Sequence, residues 1–503
     1  MRRGLRWKVL VVAVGVLATA GTAPAAKAPK QAVWKSGLAR AKITPDQPLW
    51  LAGYAARQRP AEGKLHDLWI KVLALEDARG RRAVVVTADL LGFPKAMADA
   101  ISAELQRQQR LRRAEVMLAC SHTHSGPVLS GALLDIYPLD AQQLAMIEEY
   151  SRNLQATVVK AVGEAIGRLG PATVWTGEGM TDFAVNRRNN SEKDVIEARQ
   201  AGKPLQGPSD HSVPVMAVRS VDGRLLAVLF IYACHATTLA DYEWSGDYAG
   251  FAQIALEEKH PDTQALFVIG CGADQNPLPR RSVALCKKYG TMLADAVEAV
   301  LAKPMKPVDP ELRTAFDIVR LDFQGEPSVK QLEAEAAKAG YSARWAKRIL
   351  KQMAESKAQG KALPRFYPYP VQVWRLGQDQ LWIALGGEVV VDYALSFKSK
   401  FGPTTWVTGY ANDVMAYIPS SRVWKEGGYE SGAFSVYGLA AERWAADIEQ
   451  RITQSVQALV EGARQPAAGA KPPNVKKPKA PAAHAPSARR RVGPGQQCLA
   501  ATG

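Results

Sequence analysis

Five apolar runs of strand length, at residues 68–75, 83–88, 116–119, 225–233 and 265–269, alternate with long helical patterns. That alternation limits the chain to an α/β fold, with a mixed β-sheet core and surrounding helices. Pro94 can open a helix running to about Arg110, because its missing N–H is not needed in a first helical turn. Residues 142–166 and 282–301 carry two further helical patterns. Trp444, Ile448, Ile452, Val456 and Leu459 recur at helical spacing, so a helix over 438–462 is expected to close the domain. Residues 326–362 are rich in Ala, Lys, Glu and Gln and read as a helical insertion on the surface. No internal repeat interrupts this pattern, and residues 26–464 read as a single large domain.

The two ends differ from this middle. Arg2, Arg3, Arg6 and Lys8 precede an apolar run at 9–20 that is too short to span a bilayer. Ala23-Pro24-Ala25 offers a small-residue cleavage site, so residues 1–25 are expected to be a signal peptide and the mature protein to be secreted or periplasmic. No cysteine follows that site to carry a lipid anchor. Residues 465–503 are rich in Pro, Ala and Lys without apolar periodicity and are expected to be disordered. These ends also account for most of the formal charge of +16, leaving about +5 for the domain. That value is ordinary, and nucleic acid is not an expected partner. The basic tail could still make peripheral contact with anionic surfaces. Five cysteines, none in a C-x-x-C motif, are too few for a disulfide scaffold.

The candidate chemistry lies where apolar runs end. His122 and His124 follow the run at 116–119, and Ser125-Gly126-Pro127 turns the chain immediately after them. Only seven histidines occur in the chain, so two of them at one strand end point to metal binding or catalysis. Read alone, both could be ligands. His235 shows the same context after the run at 225–233. The run at 265–269 ends in a glycine-rich loop, Gly270-Cys271-Gly272-Ala273-Asp274-Gln275-Asn276-Pro277, where backbone can approach a ligand closely. Glu388 follows an apolar run and Gly386-Gly387, as a ligand or as a charge near a helix start. No H-E-x-x-H helix, G-x-S-x-G elbow, Walker loop or dinucleotide fingerprint is present.

Taken in order, these motifs resemble the neutral/alkaline non-lysosomal ceramidase family. The shared features are Ile43-Thr44-Pro45, Gly53-Tyr54-Ala55, Thr87-Ala88-Asp89 and the specific string His122-Thr123-His124-Ser125-Gly126-Pro127. Asn186-Arg187, His235-Ala236-Thr237, Gly386-Gly387-Glu388, Tyr417 and Tyr429-Glu430 follow in the family's order. The resemblance implies a catalytic domain with a Zn²⁺ cofactor that cleaves the N-acyl amide bond of ceramide or a related lipid amide. It implies His122, His235, Glu388 and Tyr417 as metal ligands, with His124, Arg187 and Tyr429 lining the reaction centre. Asp274 and Gln275 of the glycine-rich loop are further candidates there. Without the resemblance, Tyr417 would read as a half-buried strand aromatic.

Two features depart from the family. Gln275 stands about where the family has a serine, a change the zinc centre can survive but that bears on the substrate. The family's full-length enzymes carry a C-terminal β-sandwich, where this chain has only the basic tail. Two other readings accompany the leading one: a zinc esterase or amidase for a different exported or cell-wall substrate, and a non-catalytic binding protein on a hydrolase fold.

Overall fold

The computed structural model describes residues 33–464. The expected signal segment, the residues joining it to the domain, and the tail with Cys498 lie outside the described residues. Eight strands form the main sheet in the order Gln264–Ile269, Leu225–Tyr232, Ser212–Ser220, Gly170–Met180, Trp34–Lys42, Trp69–Glu76, Arg82–Ala88 and Val116–Cys120. A ninth, Lys306–Val308, joins beside Gly170–Met180. The outermost pair at each end is parallel and the rest are antiparallel. A parallel pair needs a crossover. The helices Lys95–Gln109 and Asp247–Lys259 supply the two crossovers.

Strand side chains alternate between faces, and both faces of this sheet are buried. In Trp69–Glu76, Ile70, Val72 and Ala74 face the helical layer. Leu73 and Leu75 face a second sheet. That sheet runs Trp406–Thr408, Gln380–Leu385, Phe366–Leu376, Leu312–Gln324 and Arg443–Trp444. It repeats the device: Trp382 and Ala384 meet the first sheet, while Leu381, Ile383 and Leu385 face an outer helical layer. The result is one domain of four layers, helix, sheet, sheet and helix. Trp374, Trp382 and Trp406 pack edge to face between the sheets, at centroid distances of 5.7 and 5.5 Å. Each fully buried large side chain contributes about 1.5–3 kcal/mol of transfer free energy. No helix among the described residues is long and apolar enough to cross a membrane.

The helices Lys95–Gln109, Ala141–Gly167 and Val283–Leu301 start and stop close to the expected positions. Asp140 caps the second through the Gln143 N–H, and Ser282 caps the third through the Leu285 N–H. The insertion is two helices, Val329–Ala336 and Tyr341–Ala358, around a small core of Leu332, Trp345, Ala346 and Ile349. Arg348 pins it to Asp135 at 2.6 Å. The four described cysteines, Cys120, Cys234, Cys271 and Cys286, are buried and free.

The closing helix departs from expectation. It spans Ile448–Arg464, and Trp444 belongs to a two-residue strand paired with Phe323 and Gln324. Trp444 sits at helical spacing from Ile448 and shares its hydrophobic cluster, but its backbone is extended and paired with Phe323. Its ring stacks on Phe323 at 5.1 Å, and its indole N–H donates to the Tyr417 carbonyl at 2.8 Å. Tertiary packing overrides the local period here. Trp444→Phe should therefore leave that carbonyl unpaired and lower stability by about 1–3 kcal/mol in denaturant unfolding. An unchanged midpoint would show that the bond contributes nothing.

Candidate metal centre

Three strand ends and the loops that follow them build the site. After Val116–Cys120 the chain enters the left-handed region at His122, with φ of 54°. Thr123 then makes a parallel backbone bridge to Ala236, next to His235, which follows Leu225–Tyr232. Gln380–Leu385 leads through Gly386 and Gly387 to Glu388. Gly387 has φ of 68°, and a Cβ there would lie 2.6 Å from Ile418 and 2.8 Å from the Ala416 carbonyl. Only glycine fits that close approach. Glu388 in turn pairs in parallel with Tyr417, so the two residues arrive together. Tyr410 is also left-handed, with φ of 55°. Such residues cost of order 1–3 kcal/mol each and tend to gather at functional sites.

The ring nitrogens of His122, His124 and His235 lie within 4.8 Å of one another. His122 Nδ1 faces the Leu91 carbonyl at 2.6 Å, and His235 Nδ1 faces the Gly272 carbonyl at 2.7 Å. Only an N–H can face a carbonyl, so both Nδ1 atoms carry the proton and both Nε2 atoms present lone pairs. Those Nε2 atoms lie 3.4 and 3.0 Å from Glu388 Oε2. His124 Nε2 is 3.3 Å from His122 Nε2. His235 Nε2 is buried and has no hydrogen-bond partner. Acceptors converging on one buried point repel unless a cation lies among them. The imidazole and carboxylate donors suit a borderline divalent ion such as zinc.

The charge states agree with this arrangement. Burial, then the Arg187 charge, pushes His235 down to about 4. Burial and the neighbouring His122 and His235 rings also push His124 down. For Glu388, burial acts to raise the carboxyl, but His122 and His235 outweigh it and hold it well below the usual range. Near neutral pH the site therefore offers neutral imidazoles at His124 and His235 and an ionised carboxylate at Glu388.

The surroundings fix these groups. Gly53 lies against the His124 ring so closely that a Cβ would sit 2.3 Å from Nδ1. Buried Arg57 donates to the Ala52 and His124 carbonyls at 2.8 and 2.6 Å, holding the His124 loop. Arg187 donates from Nη2 to the Tyr417 hydroxyl at 3.1 Å and from Nε to Glu430 at 2.8 Å. The Tyr429 ring, half-exposed, stands 5.1 Å from Tyr417 at one side of an open cleft of about 590 Å³. The expected residues His122, His124, His235, Glu388, Tyr417, Arg187 and Tyr429 are thus brought together. Two details differ from the expected division of labour. His124 comes as near to His122 as a ligand would, and the Tyr417 hydroxyl is engaged by Arg187.

Asp274 and Gln275 lie in the scaffold behind the centre. Asp274, raised by burial to about 6, accepts from the Val391 N–H at 2.8 Å and from Asn186 at 3.2 Å. Gln275 accepts from the Asp210 N–H at 3.1 Å and donates to the Ala233 carbonyl. Its own carbonyl accepts from the His235 N–H at 2.9 Å. Both side chains are taken up by positioning, in contrast to the reaction-centre role expected of them. Sequence reasoning missed Tyr410, whose ring lies 4.3 Å from His122 and whose hydroxyl is 3.5 Å from Glu388 Oε2. The available signal was its place directly after a strand end and Gly409, the same context as Glu388.

Comparison with known proteins gives one consistent result. Residues 34–284 match the model for the N-terminal part of neutral/alkaline non-lysosomal ceramidases. That stretch holds His122, His124, Arg187 and His235, while Glu388, Tyr417 and Tyr429 lie beyond it. A neutral ceramidase from Pseudomonas aeruginosa is 25% identical over 233 residues, which are 44% of this chain and 33% of that protein. The match thus spans about a third of the relative's length. The crystal structure of neutral ceramidase from Pseudomonas aeruginosa shares the fold at a TM-score of 0.64 and 18% identity, covering 88% of this chain and 77% of that one. A ceramidase complexed with C2 gives the same TM-score, 0.64, and coverage at 19% identity.

Two outcomes are expected. His235→Ala should reduce bound metal, measured by elemental analysis, to under about a tenth of wild type, since a three-ligand minimum is lost. Retained stoichiometric metal would remove His235 from the ligand set. In metal-free protein, the low folded value of His235 means that the unfolded chain binds more protons between about pH 6.5 and 4. Stability should therefore be present above that window and fall as pH falls through it.

Proposed function

The chain belongs to the neutral/alkaline non-lysosomal ceramidase family, and on that premise we propose that it is an exported zinc-dependent amidohydrolase acting on ceramide or a related lipid amide. The convergence of His122, His124, His235 and Glu388 on one buried point carries this reading. His122, His235 and Glu388 would hold the ion, with Tyr417 beside them. A bound Zn²⁺ lowers the pKa of coordinated water and polarises a carbonyl. His124 is neutral near pH 7 and can take a proton from water and return it to the leaving amine. Arg187 keeps its charge because Tyr417 and Glu430 outweigh its burial. With Tyr429, it presents donors to the oxygen that becomes negative as the amide carbon turns tetrahedral. Export is supported by the basic and apolar pattern of the N-terminal residues.

One observation favours a second reading within the same chemistry. Gln275, in place of the family serine, is locked to the Asp210 N–H and the Ala233 carbonyl. The loss of that serine hydroxyl is what supports an amide or ester other than ceramide as the substrate.

Purified protein should hydrolyse N-dodecanoylsphingosine or a simpler N-acyl amide, lose activity to a chelator and regain it with zinc. His124→Ala should lower kcat by about 10²–10⁴-fold while metal remains bound. Fully metallated protein inert towards amides and esters alike would overturn the hydrolase reading.

A further inference from the structure

We infer that Glu430 is a positioning residue of this centre, holding both Arg187 and Tyr429 in working orientation through one buried carboxylate. The role of Arg187 in hydrolysis rests on the amidohydrolase reading above, whereas the linkage rests on geometry. Glu430 is 4% exposed, and its two oxygens are divided between neighbouring cations. Oε1 accepts from Arg187 Nε at 2.8 Å, and Oε2 accepts from Arg188 Nη1 at 2.6 Å. With Nε so held, Arg187 directs Nη2 to the Tyr417 hydroxyl at 3.1 Å and Nη1 to Asn276 at 3.4 Å. A planar guanidinium with all three nitrogens assigned has one orientation.

The same carboxylate fixes the segment that bears Tyr429. Glu430 lies in a four-residue helix, Tyr429–Gly432, entered through Gly427 and Gly428 at φ of 73° and 84°. A glycine pair gives that entry little stiffness of its own. Arg188 supplies it, donating to Glu426 at 2.9 Å and to the Gly427 carbonyl at 3.0 Å as well as to Glu430. Arg187 lies over both tyrosine rings, 5.6 Å from Tyr417 and 5.7 Å from Tyr429. Removing the Glu430 charge leaves two adjacent, largely buried guanidinium groups without the anion between them. Arg187 is then free to leave Tyr417, and the segment is free to carry Tyr429 away.

Glu430→Gln keeps the size and one acceptor oxygen and is the test, with Glu430→Asp as the second variant should the first not fold. The variant should bind metal as wild type does and lose at least tenfold in kcat on the N-acyl amide, with KM changed less than threefold. Arg187→Ala should lose at least as much, and the double variant should fall within twofold of Arg187→Ala alone, because one group acts through the other. Glu148→Gln, which removes only an exposed ion pair with Arg152 on the helix Ala141–Gly167, should stay within twofold of wild type. A crystal structure of the Glu430 variant reads the linkage without activity: Arg187 Nη2 should have left hydrogen-bond distance of Tyr417. Wild-type kcat, additive losses in the double variant, or an unmoved Arg187 would each overturn the inference. If wild-type protein cleaves no amide, the hydrolase reading fails and the crystal structure still decides the linkage.

Discussion

The curl of the main sheet is the constraint on which the rest of the structure depends. His122 leaves a strand at one end of the strand order, and His235 leaves a strand next to the other end. They can meet only if the sheet closes on itself. Lys71 reports that closure: from a strand well inside the sheet it donates to the Ala265 carbonyl, on the far edge strand, at 2.9 Å. The Thr123–Ala236 bridge then joins the two histidine loops directly, and a bridge from Gly270 to Thr408 brings the second sheet to the same place. Packing of both sheet faces supplies the energy for this closure, since a single backbone bond is worth only about 0.5–1.5 kcal/mol net.

Charge is arranged in the same spirit. The interior beside the site holds Glu388, Arg187 and Glu430, and each has an identified partner. Isolated buried ions of this kind would be prohibitive. The pairing runs outward from the Tyr417 hydroxyl to Arg187, then to Glu430 and Arg188, ending at the half-exposed Glu426. Acceptors crowd the inner end of this chain and cations the middle, a gradient that suits a reaction placing negative charge between them.

Much of this was legible in the sequence. The apolar runs, the helices with Pro94, Asp140 and Ser282 at their starts, and the histidines after strand ends are all local signals. Their physical causes act within a few residues. What was not legible depends on residues far apart. Trp444 shares the period of the final helix but packs against Phe323, a partner that only the second sheet brings close. Nothing local to Arg57 marks its role, which comes from the His124 carbonyl 2.6 Å away and 67 residues on in the chain. Tyr410 reads as a core aromatic until strand pairing sets it beside Glu388. The reverse error occurred at Asp274 and Gln275, whose polar side chains in a glycine-rich loop resembled chemistry. Their partners turn out to be backbone groups of Val391, Asp210 and Ala233, together with the Asn186 side chain, all of which need a bond once buried.

His122 and Tyr410 hold backbone conformations that most side chains avoid, and each is kept there by the packing around it. Glycine would relax the chain at both, but His122 and Tyr410 are fully buried, and losing a buried aromatic ring costs about 3–5 kcal/mol, more than the strain relieved. The rings that serve the centre are thus also the ballast that keeps its backbone bent, and easing the bend would empty the space beside Glu388 rather than harden the protein.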